Sequence, residues 1–203
     1  MKLYVACTTV ALALASVLLA QEQKSNIQAF TDKIEDRGET RVLYWDGAKN
    51  AAAGQLVIHH GRPAWRPEYD DAQNFDAMTK GKTWRMGKDF WTTLATDLPL
   101  KIAGKDVAPG SYYLGAERSA DGASWSLVFY EPAKVRVGRV DASQIEKATP
   151  AFKVPLTFRA ATAAAEKLSI ALTNTKEKPQ EIALKIAWGK FELSAPIVAA
   201  VAL

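Results

Sequence analysis

The sequence predicts a mainly β protein, an antiparallel two-sheet β-sandwich with one or two short helices. Beyond residue 54, apolar and polar residues alternate with a period of two in most segments, which is typical of strands with one buried and one solvated face. Glycine-containing turns separate these segments, and few stretches have helical spacing. The 203 residues are enough for one domain or at most two small ones.

Residues 1–20 have the layout of a secretory signal peptide, with an early lysine, an uncharged apolar stretch and small residues at the end. Cleavage is expected after Ala20, with cleavage after Ala15 as the competing position. A single membrane anchor is the alternative, because the stretch approaches the ~20 apolar residues that span a bilayer. Cleavage would remove Cys7, the only cysteine. It would leave a secreted or periplasmic protein with no disulfide and no stable membrane span.

Residues 21–53 are expected to form an N-terminal tail ahead of a β-sandwich domain over residues 54–203. Within the tail, apolar residues at helical spacing predict a short helix over residues 25–35. Residues 42–45 predict a strand, and residues 47–54 predict a loop.

Five segments of the expected sandwich domain alternate clearly enough to predict strands. They cover residues 56–60, 98–102, 125–129, 154–158 and 168–172. Glycine-containing turns are predicted at residues 103–105, 109–110 and 120–122. Glycine suits these positions because tight hairpin turns require a positive φ.

The C-terminal region predicts a hairpin with a two-residue turn at Gly189-Lys190. Apolar residues occupy alternate positions on both sides of this turn, namely Ile182, Leu184, Ile186, Trp188, Phe191, Leu193, Ala195 and Ile197. Pairing across a two-residue turn would place all of them on one face. Pro196 is expected to place the second strand at an edge of the sheet or to end the pairing at that point, because proline has no N–H to donate.

Two short helical pieces are expected to interrupt the strands. Residues 68–78 have helical spacing, and Asp141 precedes Ile145 as a helix-capping residue. Residues 134–139 alternate cations with valines, which predicts a strand with Lys134 and Arg136 on one solvated face. The 26 Lys and Arg against 22 Asp and Glu are interspersed, so no nucleic-acid partner is predicted.

No catalytic, metal or cofactor signature is present in the sequence. The two histidines, His59 and His60, are adjacent in a predicted strand, so their side chains point to opposite faces and cannot jointly bind one metal ion. The sequence contains no nucleophile elbow, no P-loop and no dinucleotide-binding glycine motif.

One region combines tryptophan, arginine and aspartate and is the candidate ligand site. Its residues are Arg62, Trp65, Trp84, Arg85, Asp89 and Trp91. Tryptophan faces can stack on a sugar or another flat group, while Arg or Asp side chains form hydrogen bonds with its polar rim. In the alternative interpretation, Trp84 and Trp91 belong to the core and Arg85 forms an internal ion pair with Asp89.

Several of these segments resemble the bacterial domain-of-unknown-function family 2911. The matching segments are residues 60–63, 81–87, 92–94 and 102–112, and the resemblance extends over residues 54–197. It implies an exported, β-rich bacterial domain with no established activity or cofactor. The chain departs from the family at Phe90, where many members have an acidic residue.

The sequence therefore favours an exported β-sandwich protein that is a non-catalytic ligand-binding or structural module. Its partner would be a small molecule, a glycan or a protein. One alternative is an extracytoplasmic hydrolase that uses Glu68 and Asp89 as a carboxylate pair. Another is a protein-interaction module that uses a sheet edge near Pro155 or Pro196.

Overall fold

The computed structural model describes residues 36–201, which form a sheet of ten strands and two short α-helices. The strands are β1 (Arg37–Asp46), β2 (Ala51–Gly61), β3 (Thr83–Trp84), β4 (Thr92–Thr96), β5 (Leu100–Ile102), β6 (Lys105–Val107), β7 (Gly110–Arg118), β8 (Trp125–Tyr130), β9 (Phe152–Thr173) and β10 (Glu181–Ala199). The helices are α1 (Ala72–Thr79) and α2 (Pro132–Val137), and single 3₁₀ segments cover Pro67–Asp70 and Ala142–Lys147.

Hydrogen bonds connect the strands in the order β1-β2-β4-β7-β8-β9-β10-β5-β6, with β3 paired to β7. Every neighbouring pair is antiparallel. The prediction of a mainly β, antiparallel protein with few helices is confirmed. The division into the two sheets of a sandwich is not confirmed, because the ten strands form one continuous hydrogen-bonded path.

The sheet curves over one main hydrophobic core. Every strand except β3 contributes a buried side chain to it, as the alternation of apolar residues requires. Two hydrogen bonds tie β1 to the far end of the sheet: the Leu172 N–H donates to Thr40 Oγ1 at 3.0 Å, and the Tyr44 hydroxyl donates to the Pro179 carbonyl at 2.8 Å. Strands from both ends of the hydrogen-bonded path therefore share one core.

A second, smaller core lies on the opposite face of the sheet. Val128 and Tyr130 alternate along β8 with the main-core residues Leu127 and Phe129, and so point away from the main core. Their partners there are Trp91, Val135, Ala142, Ile145 and Ala148. The segment from α2 to the 3₁₀ turn thus covers this part of the outer face.

The predicted C-terminal hairpin is wrong. Residues 181–199 form the single strand β10, and Gly189 lies in a bulge where the pairing with β9 shifts on either side. Because of this bulge, the buried residues of β10 have even numbers before Gly189 and odd numbers after it. A two-residue turn would produce the same change. All the apolar residues therefore still face the core. The pairing of β10 with β9 ends at Ser194, just before Pro196, as expected.

The strand predicted at residues 134–139 is also wrong, because residues 132–137 form α2. Pro132 in the first turn favours the helix, since its fixed φ suits that position. Lys134 and Arg136 lie in the last turn, where cations stabilise the negative end of the helix dipole. Val135 is the helix residue that is buried, so a single apolar contact holds the helix to the sheet.

The helix predicted over residues 68–78 divides into the 3₁₀ segment Pro67–Asp70 and α1. Asp71 separates them and caps α1 by accepting a hydrogen bond from the Asn74 N–H at 2.9 Å. Asp141 caps the second 3₁₀ segment in the same way, as predicted, by accepting from the Ser143 N–H at 2.8 Å.

The strand predicted at residues 42–45 is present within β1, and β2 begins at Ala51, inside the predicted loop. The sheet thus begins before residue 54. The predicted leader over residues 1–20 and the predicted helix over residues 25–35 lie outside the described residues. No helix within residues 36–201 is both long and apolar enough to cross a membrane.

Candidate functional site

The loop that follows β3 packs directly against the backbone of β2. A Cβ atom on Gly61 would lie 2.3 Å from the Lys88 carbonyl oxygen, so only glycine allows this approach. The Thr92 hydroxyl donates to the Met86 carbonyl at 2.5 Å, which fixes the loop on β4. Met86 and Asp89 adopt left-handed φ values of 51° and 65°. The loop is thus a tight turn that fixes the backbone from which Arg85 and Lys88 project.

Three separate parts of the chain surround a cleft of about 400 Å³. They are the segment between β2 and α1, the end of β3 with its following loop, and the middle of β10. The residues that line the cleft are Pro63, Ala64, Arg66, Tyr69, Trp84, Arg85, Gly87, Lys88 and Trp188. We refer to this feature below as the basic cleft.

Three cations line the basic cleft, and no carboxylate is among its described lining residues. Two of the cations have distant acidic partners outside the lining: Arg66 lies 3.6 Å from Glu68, and Lys88 lies 3.6 Å from Asp36. Such solvent-exposed pairs are weak. The cleft therefore has a net positive field that favours an anionic ligand.

Arg85, like Lys88 but unlike the exposed Arg66, is a half-buried cation of this set. Its Nε donates to the Gly87 carbonyl at 3.2 Å. Among residues 36–201, Arg85 forms no ion pair, so the predicted Arg85–Asp89 pair is not present. Hydrogen bonds from Ser143, followed by the positive charge of Arg85, lower the pKa of Asp141. Its remaining guanidinium N–H groups make Arg85 the best-placed donor for a bound carboxylate.

Aromatic rings form the floor and one side of the basic cleft. Trp84 stacks on Trp188 with ring centroids 4.9 Å apart and an interplanar angle of 11°. The Trp188 indole donates to the Pro63 carbonyl at 3.0 Å, which fixes the supporting ring. Trp84 and Tyr69 are both half-buried. Their accessible portions offer a flat apolar surface beside the three cations.

Trp65 lies next to the basic cleft, in an adjoining pocket. Its ring covers Gly189, where a Cβ atom would lie 2.1 Å from the indole. Trp65 meets Trp188 edge to face, with centroids 5.1 Å apart. Its indole N–H donates to Asp70 at 3.0 Å. Tyr69 lines both the basic cleft and this adjoining pocket.

The structure brings together only part of the predicted site. Trp84 and Arg85 line the basic cleft, and Trp65 adjoins it. Asp89 is exposed on the loop and lines neither pocket. Trp91 is buried in the second core, where it stacks on Tyr113 at 4.9 Å. Trp91 is thus a core residue, as the alternative interpretation expected.

Arg62 also lies outside the basic cleft, beside His60 on the inner side of β2. His60 is 3% exposed. Burial, and then the charges of Arg62 and Arg37, lower the pKa of His60 to about 4. His60 is therefore neutral at pH 7 and belongs to the core.

Sequence reasoning did not assign Tyr69, Trp188, Arg66 or Lys88 to the site. Arg66 and Lys88 do lie within the aromatic and basic segments, so local composition could have included them. Trp188 could not have been found in this way, because β10 approaches these segments only through the long-range pairing of the sheet.

The structure gives no support to the two alternative functions. Glu68 and Asp89 are exposed, and neither lines the basic cleft. Pro155 pairs with Ser126 of β8, and Pro196 lies in β10 between that strand's pairings with β9 and β5, whereas the terminal strands of the path are β1 and β6. No group of three or more His, Cys, Asp and Glu residues that could bind a metal ion occurs within residues 36–201.

Comparison with known proteins gives one match. A family model described as "Protein of unknown function (DUF2911)" matches residues 47–197, which include every lining residue of the basic cleft. The resemblance inferred from the sequence is therefore confirmed. No curated protein and no solved structure gives a significant match.

Proposed function

The chain belongs to the DUF2911 family of proteins of unknown function, and from its basic cleft we propose that it is a non-catalytic binding module for an acidic saccharide. The observation that carries this proposal is the convergence of Arg66, Arg85 and Lys88 on a cleft that also exposes aromatic rings. Its volume of about 400 Å³ lies within the range of small-ligand sites, roughly 300–1,000 Å³.

The three cations support an anionic ligand. A carboxylate can accept two parallel hydrogen bonds from the Arg85 guanidinium, which is already oriented by its bond to Gly87. Arg66 and Lys88 are held only by weak, exposed pairs at 3.6 Å. Both can turn toward a ligand at little cost.

The aromatic rings support a saccharide over a simple anion. The apolar face of a sugar ring matches a flat indole surface, and Trp84 is held rigidly by its stacking on Trp188. A preorganised ring loses little conformational entropy on binding. An inorganic anion would use the cations alone and would leave the aromatic surface unoccupied.

Export is part of the same proposal. The apolar leader of residues 1–20 would direct the chain out of the cytoplasm and be removed after Ala20. The proposed ligand would then be an extracytoplasmic acidic glycan. Mass spectrometry of the exported protein tests this step, because retention of Met1 would contradict it.

Calorimetric titration tests ligand binding, with a uronic-acid disaccharide and its carboxyl-reduced, neutral counterpart as probes. We expect the acidic disaccharide to bind more tightly and to lose affinity as salt is added. Arg85→Gln should weaken its binding about tenfold, because a hydrogen bond to a charged group is lost.

Arg136→Gln is the matched control, because Arg136 is an exposed arginine on α2 and does not line the basic cleft. Its affinity should equal that of the unmodified protein. Equal affinity for the acidic and the neutral disaccharide would contradict the proposal, as would equal losses in the two variants.

A further inference from the structure

A second pocket, of about 180 Å³, adjoins the basic cleft, and Tyr69 lines both. Five aromatic residues line most of it: Trp65, Tyr69, Phe75, Phe158 and Phe191. Its remaining lining residues are Asp70, Ala72 and Lys190. We refer to it as the aromatic pocket.

The rings of the aromatic pocket stand at different angles and so enclose space from several sides. Trp65 is nearly perpendicular to Tyr69, at 81°, and lies at 68° to Phe191. Phe158 is 49% exposed although it stacks toward Phe191. The exposed Phe158 ring thus extends the aromatic wall of the pocket to the surface, where a ligand can reach it.

The only anion in the lining of the aromatic pocket is Asp70. The Trp65 indole donates to it at 3.0 Å, and the Lys190 ammonium lies 3.1 Å from it. The hydrogen bond from Lys190, followed by that from Trp65, lowers the pKa of Asp70. The carboxylate is therefore ionised at neutral pH and held in a fixed position.

We propose that the aromatic pocket binds a small organic cation, namely an alkylated ammonium group. The negative faces of aromatic rings attract such a cation, and a nearby carboxylate adds to this attraction. The chain already places one ammonium at the rim, that of Lys190.

Lys190 does not prevent this binding. Its side chain is 66% exposed, and that of Asp70 is 41% exposed, so the pair contributes little free energy. A ligand ammonium can take the place of Lys190 beside Asp70, while the lysine returns to solvent. The pocket volume suits a trimethylammonium head group rather than a whole sugar.

Titration of the protein with choline, followed by tryptophan fluorescence, tests the inference. The neutral isostere 3,3-dimethyl-1-butanol has the same shape without the charge. We expect saturable binding of choline and at least tenfold weaker binding of the isostere. Equal binding of both probes would overturn the inference by showing an apolar site, and so would the absence of choline binding.

Two variants locate the site. Phe158→Ala should weaken choline binding about threefold to fivefold. Phe90→Ala removes an equally exposed ring elsewhere, with Phe90 54% exposed, and should leave binding unchanged. If Phe158→Ala fails to fold, Asp70→Asn supplies the test, since it keeps the shape of the side chain and should also weaken binding. Choline affinity that neither Phe158→Ala nor Asp70→Asn changes would overturn the assignment.

Discussion

Arg85 illustrates how one side chain can be held by the backbone without being part of a structural ion pair. Its Nε donates to the carbonyl of Gly87, two residues further along the chain, and the loop itself packs on Gly61 of β2. Nothing in the described residues neutralises the guanidinium at close range. Under the proposed function, the arginine at this position contributes more to ligand binding than to stability.

Arg85→Ala should consequently cost only roughly 1 kcal/mol of unfolding free energy, the contribution of one hydrogen bond. Urea denaturation measures this difference. A loss of several kcal/mol would indicate instead a buried pair broken on one side, and would contradict the assignment of Arg85 to the ligand site.

His60 makes stability depend on pH. The pKa of His60 is about 4 in the folded protein and 6.5 in the unfolded chain. Between pH 4 and pH 6.5 the unfolded chain therefore binds one more proton than the folded protein. The stability that neutral His60 contributes is complete above pH 6.5 and is lost as the pH falls toward 4. The loss amounts to roughly 3 kcal/mol at 1.36 kcal/mol per pKa unit.

His60→Leu should remove this dependence. Denaturation of both proteins between pH 7 and pH 4 should show the unmodified protein losing stability relative to the variant. A difference that stays constant over this range would show that His60 does not titrate as proposed.

Among the elements, β10 shows what the sequence pattern can and cannot determine. The alternation of apolar residues correctly predicted strands on both sides of Gly189 and correctly predicted their buried face. It could not distinguish a turn from a bulge, because both shift the alternation by one position. Whether a turn or a bulge forms here depends on Trp65, whose ring covers Gly189 and which lies far from it in sequence.

Gly189→Ala tests this bulge. Gly189 has a φ of +56°, and an added Cβ would lie 2.1 Å from the Trp65 ring. Backbone strain and overpacking should together cost at least about 3 kcal/mol. Thermal or urea denaturation measures the loss.

Gly104→Ala is the matched control. Gly104 has a φ of +87° with nothing within 4 Å of an added Cβ. The variant should therefore lose only about 1 kcal/mol of unfolding free energy, from backbone strain alone. Equal losses at the two glycines would show that the Trp65 ring moves aside freely.

The strand predicted where α2 lies was wrong for a different reason. Residues 134–139 are too few for alternation to be distinguished from helical spacing. Pro132 was the local signal for a helix start. The capping aspartate at residue 141 was identified correctly, because its interaction is local and needs no knowledge of the sheet.

At the scale of the whole molecule, the order of the strands in the sheet could not be predicted from sequence patterns. β5 and β6 pair beside β10 at the end of the hydrogen-bonded path, although they precede β7 in the chain. Hydrophobic alternation sets which face is buried but not which strand is the neighbour. The local sequence was enough to predict Trp84 and Arg85 as site residues. Trp188, on which Trp84 stacks, is brought to the site by this long-range pairing.

The whole fold also places the two proposed sites side by side. Tyr69 lines both the basic cleft, which has three cations, and the aromatic pocket, which has one carboxylate and one cation, Lys190. Both depend on the same stretch between β2 and α1, which supplies lining residues to each. A single short segment, held on β10 by aromatic contacts, therefore forms the common wall of both proposed sites.

The most direct measurement of the central claim is a set of NMR spectra that records the six tryptophan indole N–H signals during titration with the uronic-acid disaccharide. Our account predicts that the signals of Trp84 and Trp188 shift in a saturable way. The signal of Trp91, buried in the second core, should not move. Shifts confined to tryptophans outside the basic cleft, or no saturable shift of Trp84, would contradict the account.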